Sequence, residues 1–297
     1  MAQQERRDRL RIATAAYPLD RVSSWQAYAD KISDWVGKAA GQGAELLVFP
    51  EYGSLELTAL VGADGNLAAQ TDGVQCYLSD FRQLFQALAR HHGLYILCPS
   101  FLVRDSDGAL RNAVWMYGPD GEIGRQDKII PTCFERDHWN LTGGDGITMM
   151  PTPWGPVGVC ICYDSEFPLL ARHMAKAGAR LLLVPSCTDS LAGWWRVRVG
   201  SAARALENQC ITVQSPTVGE ADWCPAVDEN VGAAAIYGPS DTGFPDDGVI
   251  ALGGIGQAGW LYADLDLALV DHVRSHGRVA NFTHWSEQIR GLAEPGK

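Results

Sequence analysis

Short apolar segments alternate with segments of helical spacing along nearly the whole chain. The run Ala44–Pro50 is continuously apolar at its centre, which is typical of a strand buried on both faces. Apolar residues from Trp25 to Ala39 recur at helical spacing and predict a helix that ends near Gly41 and Gly43. By the same criteria, further strands are predicted at Arg11–Tyr17, Leu94–Phe101, Asn112–Tyr117, Val157–Cys162, Leu181–Pro185, Cys210–Gln214, Ala233–Tyr237 and Trp260–Asp264. Further helices are predicted around Phe81–Leu88, capped near Ser79 or Asp80 and stopped at Gly93, and at Pro168–Lys176 and Trp195–Asn208.

This alternation predicts an α/β fold in which helices cover the faces of a sheet. The strands at 94–101 and 112–117 follow one another without a helix between them, which indicates a mixed sheet, or two sheets, rather than one parallel sheet. No repeat or linker interrupts the pattern, so we expect residues 1–297 to form a single domain.

Composition narrows the class of protein. The chain is 46% hydrophobic and 20% charged, as soluble globular proteins are, so a disordered chain is excluded. Its net charge of -11 offers no electrostatic footprint for nucleic acid or an anionic membrane. No apolar run approaches the roughly 18 residues of a membrane span, and no apolar stretch follows the charged N-terminal residues. We therefore expect a cytoplasmic protein.

Neither the cysteines nor a glycine-rich motif indicates a metal or cofactor. The eight cysteines include no Cys-x-x-Cys pair, and several lie in apolar strand-like segments, so we expect most to be core thiols. The histidines are scattered without ligand spacing. The motif Gly254-Ile-Gly256-Gln-Ala-Gly259 fits the dinucleotide pattern, but a strand-like segment follows it where a helix is required, so a surface loop is the better interpretation.

Three segments place a reactive side chain beside a predicted buried strand, where open α/β proteins bind ligands. Glu51 follows the strand ending at Phe49-Pro50, Lys128 precedes Ile129-Ile130, and Cys162 lies where a strand is expected to turn. Together these residues suit acyl transfer, because a lysine favours thiolate, a glutamate moves protons and N–H donors hold an oxyanion. Each also has a structural explanation, as strand-end acid, surface charge or core thiol. Spacing alone does not choose between Cys160 and Cys162, which lie on the same face of a regular strand.

The same segments resemble the signature blocks of the nitrilase superfamily, the carbon–nitrogen hydrolases. Phe49-Pro50-Glu51 resembles the general-base block, Lys128-Ile-Ile-Pro-Thr-Cys-Phe-Glu135 the lysine block, and Cys162-Tyr163-Asp164 the nucleophile block, which selects Cys162. The resemblance extends from about residue 10 to about residue 282 through the blocks Val184-Pro185-Ser186, Ala203–Gln209, Tyr237–Ser240 and Leu261–Asp266.

The resemblance implies a four-layer α-β-β-α sandwich, a homodimer or higher homo-oligomer, and an amidase acting on a small-molecule amide without a cofactor. It implies Cys162 as nucleophile, Glu51 as general base, and Lys128 with the Tyr163 N–H as oxyanion donors. Glu135 is then expected to orient Lys128 or the substrate, or to form a buried structural ion pair. Nitrile hydrolysis and acyl transfer through the same thioester remain alternatives, as does, from another class, an inactive scaffold.

Finer details of the resemblance concern the branch of the superfamily and the substrate. Glu51-Tyr52 and Asp241–Gly248 resemble the branch that often carries a fused acetyltransferase domain, for which we expect no room here. The family commonly has an arginine after the nucleophile, where this chain has Glu166. If Glu166 lines the pocket, it favours neutral or cationic amides; the alternative is an ion pair with a cation such as Arg172. The resemblance to the nitrilase superfamily is weak around residues 219–230.

Overall fold

The computed structural model describes residues 6–292. Its strands are β1 (Arg9–Pro18), β2 (Leu46–Val48), β3 (Tyr95–Leu97), β4 (Phe101–Arg104), β5 (Leu110–Gly118), β6 (Gly121–Asp127), β7 (Met150–Thr152), β8 (Gly155–Val159), β9 (Leu181–Ser186), β10 (Ile211–Glu220), β11 (Glu229–Asn230), β12 (Ala235–Tyr237), β13 (Val249–Leu252) and β14 (Gly259–Asp266). The α-helices are α1 (Trp25–Gly41), α2 (Leu67–Val74), α3 (Leu78–His92), α4 (Cys133–Trp139), α5 (Pro168–Lys176), α6 (Leu191–Asn208), α7 (Ala268–His276), α8 (Asn281–His284) and α9 (Gln288–Gly291). Short 3-10 helices lie at Gly53–Leu60, Gln75–Tyr77, Cys162–Glu166 and Trp285–Glu287.

The strands form two sheets that face each other. In the first sheet the strand order is β6, β5, β3, β2, β1 and β14. Strand β4 pairs with β5 along the same edge as β3. In the second sheet the order is β7, β8, β9, β10, β12 and β13. The sheets join where the end of β1 pairs with β10, at Tyr17–Thr217 and Pro18–Val218.

Alternation along the strands builds two cores, one between the sheets and one outside the first sheet. In β1 and β2, Ile12 and Val48 pack in one cluster with Leu183 and Val213 of the second sheet. Their neighbours in sequence, including Leu47, instead pack with the buried faces of α1 and α3. Helices α5 and α6 pack on the second sheet. The layers are therefore helix, sheet, sheet, helix, and the prediction of an α-β-β-α sandwich is confirmed.

Most predicted elements differ from the structure by one or two residues at an end, and several differ by more. Helix α6 begins at Leu191, before the predicted start at Trp195, and β10 continues to Glu220, past the predicted end at Gln214. The strand at Leu94–Phe101 is broken into β3 and β4 by Cys98-Pro99-Ser100, because Pro99 has no N–H for the ladder. The cap at Ser79 or Asp80 is wrong: α3 begins at Leu78, directly after a 3-10 turn. The strand predicted to reach Cys162 ends at Val159.

The loop at residues 253–258 connects β13 to β14, so the Gly-rich motif leads into a strand as expected. Among residues 6–292, no helix is long and apolar enough to cross a membrane.

Candidate active site

The three reactive side chains predicted from the sequence line one cavity of about 270 Å³ at one end of the sandwich. Glu51 follows β2 and Lys128 follows β6, both in the first sheet. Cys162 begins the 3-10 helix that follows β8 of the second sheet. The cavity thus opens where the two sheets bring their strand ends together.

Cys162 has a φ of 48°, in the left-handed region that few non-glycine residues adopt. The strand has already ended at Val159, so the alternation that made Cys160 and Cys162 equivalent does not reach Cys162. The side chain of Cys160 packs in the core with its sulfur 3.8 Å from that of Met174. Cys162 instead lines the cavity, and its sulfur lies 3.6 Å from the carbonyl oxygen of Cys187. The turn therefore separates the two thiols.

Lys128 lies between two buried carboxylates. Its Nζ donates to Glu51 Oε1 at 2.7 Å and to Glu135 Oε1 at 2.8 Å, and its side chain is 1% exposed. The amide nitrogen of Asn112 donates to the same oxygen of Glu51 at 2.9 Å. The other oxygen of Glu51 accepts the Cys187 N–H at 3.1 Å. Glu51 and Lys128 are thus fixed relative to each other by direct contact.

Glu135 also caps the helix it belongs to. Its second oxygen accepts the Thr132 N–H at 2.6 Å, and its own N–H donates to the Thr132 hydroxyl, which is a capping box at the start of α4. The Tyr52 hydroxyl donates to the oxygen that Lys128 contacts. The structure therefore places Glu135 where it can orient Lys128, and where it is also part of the fold.

Burial and charge set the protonation states in this cluster. Burial raises the pKa of Glu51 to about 7, although the Lys128 charge opposes it, and the charge of Glu135 adds to the rise. Burial by itself would raise the pKa of Glu135 too, but the charge of Lys128 and its hydrogen bond outweigh burial and lower the pKa of that carboxyl. For Lys128, burial acts downward, yet the two carboxylates keep its pKa well above the usual value.

The thiol of Cys162 is held in its neutral form. Burial first, and the Glu51 charge second, raise its pKa well above the usual value. Lys128 opposes this rise without cancelling it. A neutral thiol beside a carboxylate with a pKa near neutrality suits general-base activation rather than a preformed thiolate.

Tyr163 also lines the cavity. The first bond of its 3-10 helix runs from the Asp164 N–H to the Ile161 carbonyl oxygen at 3.0 Å. The N–H groups of Cys162 and Tyr163 precede that bond, so the helix supplies no acceptor for them. Such N–H groups at a turn are suitable oxyanion donors.

Glu166 lines the cavity, and its neighbour is not the cation suggested from the sequence. Its carboxylate lies 3.6 Å from the guanidinium of Arg196, which is 62% exposed and also lines the cavity. Arg172 instead donates to the carbonyl oxygen of Phe282 at 2.7 Å and lies over its ring. Glu166 thus stands at the cavity wall with only a loosely placed cation beside it.

Sequence reasoning did not identify several residues that shape the site. Asn112 is the first residue of a predicted strand, and Tyr52 and Asp164 lie beside Glu51 and Cys162 in the family-like segments. The sequence feature that could have indicated them is a polar side chain within an apolar segment. Cys187 contributes only backbone atoms to the contacts with Glu51 and Cys162, so no side-chain pattern could reveal it. Within residues 6–292 no group of His, Cys, Asp and Glu is arranged to hold a metal ion.

Comparison with known proteins agrees with this geometry. Residues 11–275 match the family model described as carbon-nitrogen hydrolase. The chain is 32% identical over 271 residues to the probable hydrolase YhcX of Bacillus subtilis, and the match covers 91% of this chain and 52% of that protein. It is 31% identical over 252 residues to the omega-amidase NIT2 of Danio rerio, covering 80% of this chain and 82% of the relative.

Solved structures extend the likeness to the fold. The carbon-nitrogen hydrolase from Helicobacter pylori G27 superposes with a TM-score of 0.78 at 18% identity. That superposition covers 97% of this chain and 99% of the other.

Proposed function

We propose that this chain, which belongs to the carbon–nitrogen hydrolase family, cleaves a non-peptide carbon–nitrogen bond of a small-molecule amide through a thioester on Cys162. The observation that carries the proposal is the placement of Glu51, Lys128 and Cys162 around one cavity, with a neutral thiol beside a carboxylate of raised pKa. The family membership and the omega-amidase relative support an amidase-type hydrolase. The residues and the covalent step are our assignment.

In the first half-reaction the Cys162 sulfur attacks the amide carbonyl carbon while Glu51 takes the thiol proton. The carbonyl oxygen becomes an oxyanion, which Lys128 and the Tyr163 N–H stabilise. The oxyanion then re-forms the carbonyl as the carbon–nitrogen bond breaks. Glu51 returns its proton to the leaving nitrogen, so ammonia or an amine departs and a thioester remains.

In the second half-reaction Glu51 takes a proton from water, whose oxygen attacks the thioester carbon. The same donors hold the second oxyanion. Its collapse releases the carboxylic acid, and Glu51 returns the proton to the Cys162 sulfur. The carbonyl oxygen faces Lys128 throughout, so Glu135 serves to keep that ammonium in place.

The name of the zebrafish relative favours an amide substrate. The same thioester could also arise from a nitrile, or pass to an amine in amide-forming acyl transfer, so these are the alternatives. We further propose that residues 1–297 form one domain that works in the cytoplasm as a homodimer or higher homo-oligomer. We also propose that it falls in the branch with acetyltransferase-fused members, which the segment Asp241–Gly248 supports. The chain spans only 52% of its Bacillus relative.

Released ammonia tests the activity, with simple aliphatic amides as substrates and Cys162→Ala as the control. Added hydroxylamine tests for the thioester, because it takes the acyl group as a hydroxamate. Hydrolysis and acyl transfer are then separated by the main product formed with an added amine in water, which is the free acid or the new amide. Mass spectrometry of the wild type, quenched with acid during turnover of the amide, should show an acyl adduct on Cys162, and Glu51→Gln should show none because acylation also needs the base. Ammonia release by Cys162→Ala at the wild-type rate, or an adduct on another cysteine, would overturn the proposed mechanism.

A further inference from the structure

The proposed catalytic groups come from different sheets. Glu51 and Lys128 follow strands of the first sheet, and Cys162 follows β8 of the second. Among the described residues, the Nζ of Lys128 donates only to Glu51 and Glu135, both on the first-sheet side. No hydrogen bond therefore joins the Lys128 and Cys162 side chains, although the proposed chemistry requires both at one carbonyl group.

One buried carboxylate spans this gap. Asp164 Oδ2 accepts the N–H of Ile129 at 3.2 Å and the N–H of Ile161 at 3.2 Å, and Oδ1 accepts the N–H of Ile130 at 2.9 Å. Ile129 directly follows Lys128, and Ile161 directly precedes Cys162. Asp164 itself is 1% exposed. A single side chain therefore bonds to the backbone beside the lysine and to the backbone beside the cysteine.

We propose that Asp164 is a positioning residue that holds the Lys128 segment of one sheet against the Cys162 turn of the other, at the separation that the oxyanion needs. This inference rests on the proposed function, because it presumes that Lys128 and Cys162 act on one carbonyl group. Asp164 touches neither the substrate nor the reacting atoms. It acts through the backbone that carries them.

The energetics agree with a holding role. Burial raises the pKa of Asp164 to about 6 although Lys128 and the three N–H donors oppose the rise, so the site keeps a carboxylate that burial alone disfavours. The carboxylate can accept from all three N–H groups, whereas an asparagine side chain has one acceptor oxygen and an NH₂ group. With Asn at this position, the side-chain NH₂ group would face at least one of the three backbone N–H groups, and that hydrogen bond would be lost.

The test compares two reactions of the Cys162 thiol in wild type and Asp164→Asn. A simple aliphatic aldehyde adds reversibly to the thiol: the sulfur–carbon bond forms as the carbonyl π bond breaks, and Glu51 takes the thiol proton. The carbonyl oxygen becomes the hemithioacetal oxygen at the oxyanion position. Iodoacetamide alkylates the same sulfur with loss of iodide and forms no oxyanion. We expect aldehyde affinity and kcat for amide hydrolysis to fall together in Asp164→Asn by roughly 10–100-fold. KM and the alkylation rate should change by less than about threefold.

Asp241→Asn is the matched control. Asp241 is also a buried carboxylate that holds distant backbone, since it accepts the N–H of Arg278 at 2.9 Å, but that backbone does not carry a residue that lines the cavity. It should lose stability without losing aldehyde affinity. If Asp164→Asn does not fold, an amide-to-ester replacement at Ile130 deletes one donor N–H and leaves every side chain in place. That replacement should weaken aldehyde binding in the same direction.

Three results would overturn the inference. They are unchanged aldehyde affinity in a folded Asp164→Asn or Ile130 ester, an equal loss in Asp241→Asn, and an alkylation rate that falls as far as aldehyde affinity. If the wild type hydrolyses amides normally and one of these results is found, only the role of Asp164 is refuted and the proposed function stands. A wild type in which aldehyde and iodoacetamide leave Cys162 unmodified, and which releases no ammonia, refutes the proposed function itself.

Discussion

Replacing Lys128 with methionine tests how far this ammonium supports the site. Glu51 and Glu135 are both almost fully buried, and Lys128 is the cation that each contacts. Lys128→Met leaves two buried carboxylates with no opposing charge. At pH 8 we expect the free energy of unfolding to fall by about 3–5 kcal/mol, the range found when one partner of a buried ion pair is removed.

The size of this loss should depend on pH, with a definite sign. In the wild type the pKa of Glu135 is lowered, so Glu135 stays ionised in the folded and unfolded states from pH 5 to pH 8 and gives no slope. In the variant the Lys128 charge no longer opposes burial, and only the hydrogen bonds from Tyr52 and Thr132 do, so we expect burial to raise that pKa above its unfolded value of about 4.3. The folded variant then binds a proton that the unfolded chain releases. Its stability relative to wild type should therefore fall as the pH rises from the unfolded pKa to the raised folded pKa, by at most about 1.4 kcal/mol per pH unit.

Urea denaturation followed by tryptophan fluorescence at several pH values measures both quantities. Burial already raises the pKa of Glu51 to about 7 in the wild type. Below that pH, Glu51 therefore adds the same pH dependence of stability to the wild type and to Lys128→Met. Lys38→Met is the control, because Lys38 is 67% exposed in its pair with Asp34 and should contribute less than about 0.5 kcal/mol. The double variant Lys128→Met/Glu135→Gln should recover part of the loss. The reasoning is refuted if Lys128→Met costs no more than Lys38→Met, or if its deficit does not grow with pH.

Three further predictions concern the reaction. Cys162→Ala should abolish ammonia release while circular dichroism shows an intact fold, whereas Cys160→Ala should stay active and lose roughly 1 kcal/mol of stability from its core site; the reverse pattern would show that the nucleophile is misassigned. Activity should survive EDTA, since no step of the proposed mechanism uses a metal, and loss on chelation with recovery on adding a divalent ion would contradict it. Among matched amides, kcat/KM should be higher for a distal neutral or ammonium group than for a carboxylate. Beyond the cluster of Glu51, Lys128 and Glu135, the charged residues that line the cavity are four acids and the cation Arg196; the acids are Glu166, Asp189, Asp228 and Glu229. Glu166→Gln should narrow that preference, and a wild type that prefers the carboxylate would exclude this account.

Periodicity predicted the elements whose burial is regular. Helix α5 has the bounds predicted from the sequence, and α1 ends at Gly41 as expected, because both helices present one apolar face to a sheet. Periodicity missed β6, whose residues are partly exposed and mostly polar, and α4, which is short and held by its capping box. Lys128 directly follows β6 and Glu135 lies in α4, so much of the site depends on structure that the apolar pattern does not reveal.

The choice between the two cysteines shows where sequence spacing stops being informative. Spacing assumed a regular strand through Cys162, but the backbone turns after Val159 and places Cys162 at a φ of 48°. Only the resemblance to family motifs selected Cys162. Spacing also could not predict the ion-pair partner of Glu166, because Arg196 lies beside it only through the packing of α6 on the 3-10 helix at Cys162–Glu166.

Burial accounts for several features of this site at once. A lysine that is 1% exposed must be paired, here by two carboxylates. Glu135 is the harder of the two to protonate, because Tyr52 and both the N–H and the hydroxyl of Thr132 also donate to it. The proton therefore falls to Glu51, the carboxyl whose pKa burial raises toward neutrality. The same desolvation keeps the Cys162 thiol neutral until Glu51 accepts its proton. In the proposed reaction the thiol thus becomes a nucleophile only as the carbonyl group is attacked, and the Lys128 charge that stabilises the pair at rest also stabilises the oxyanion that forms.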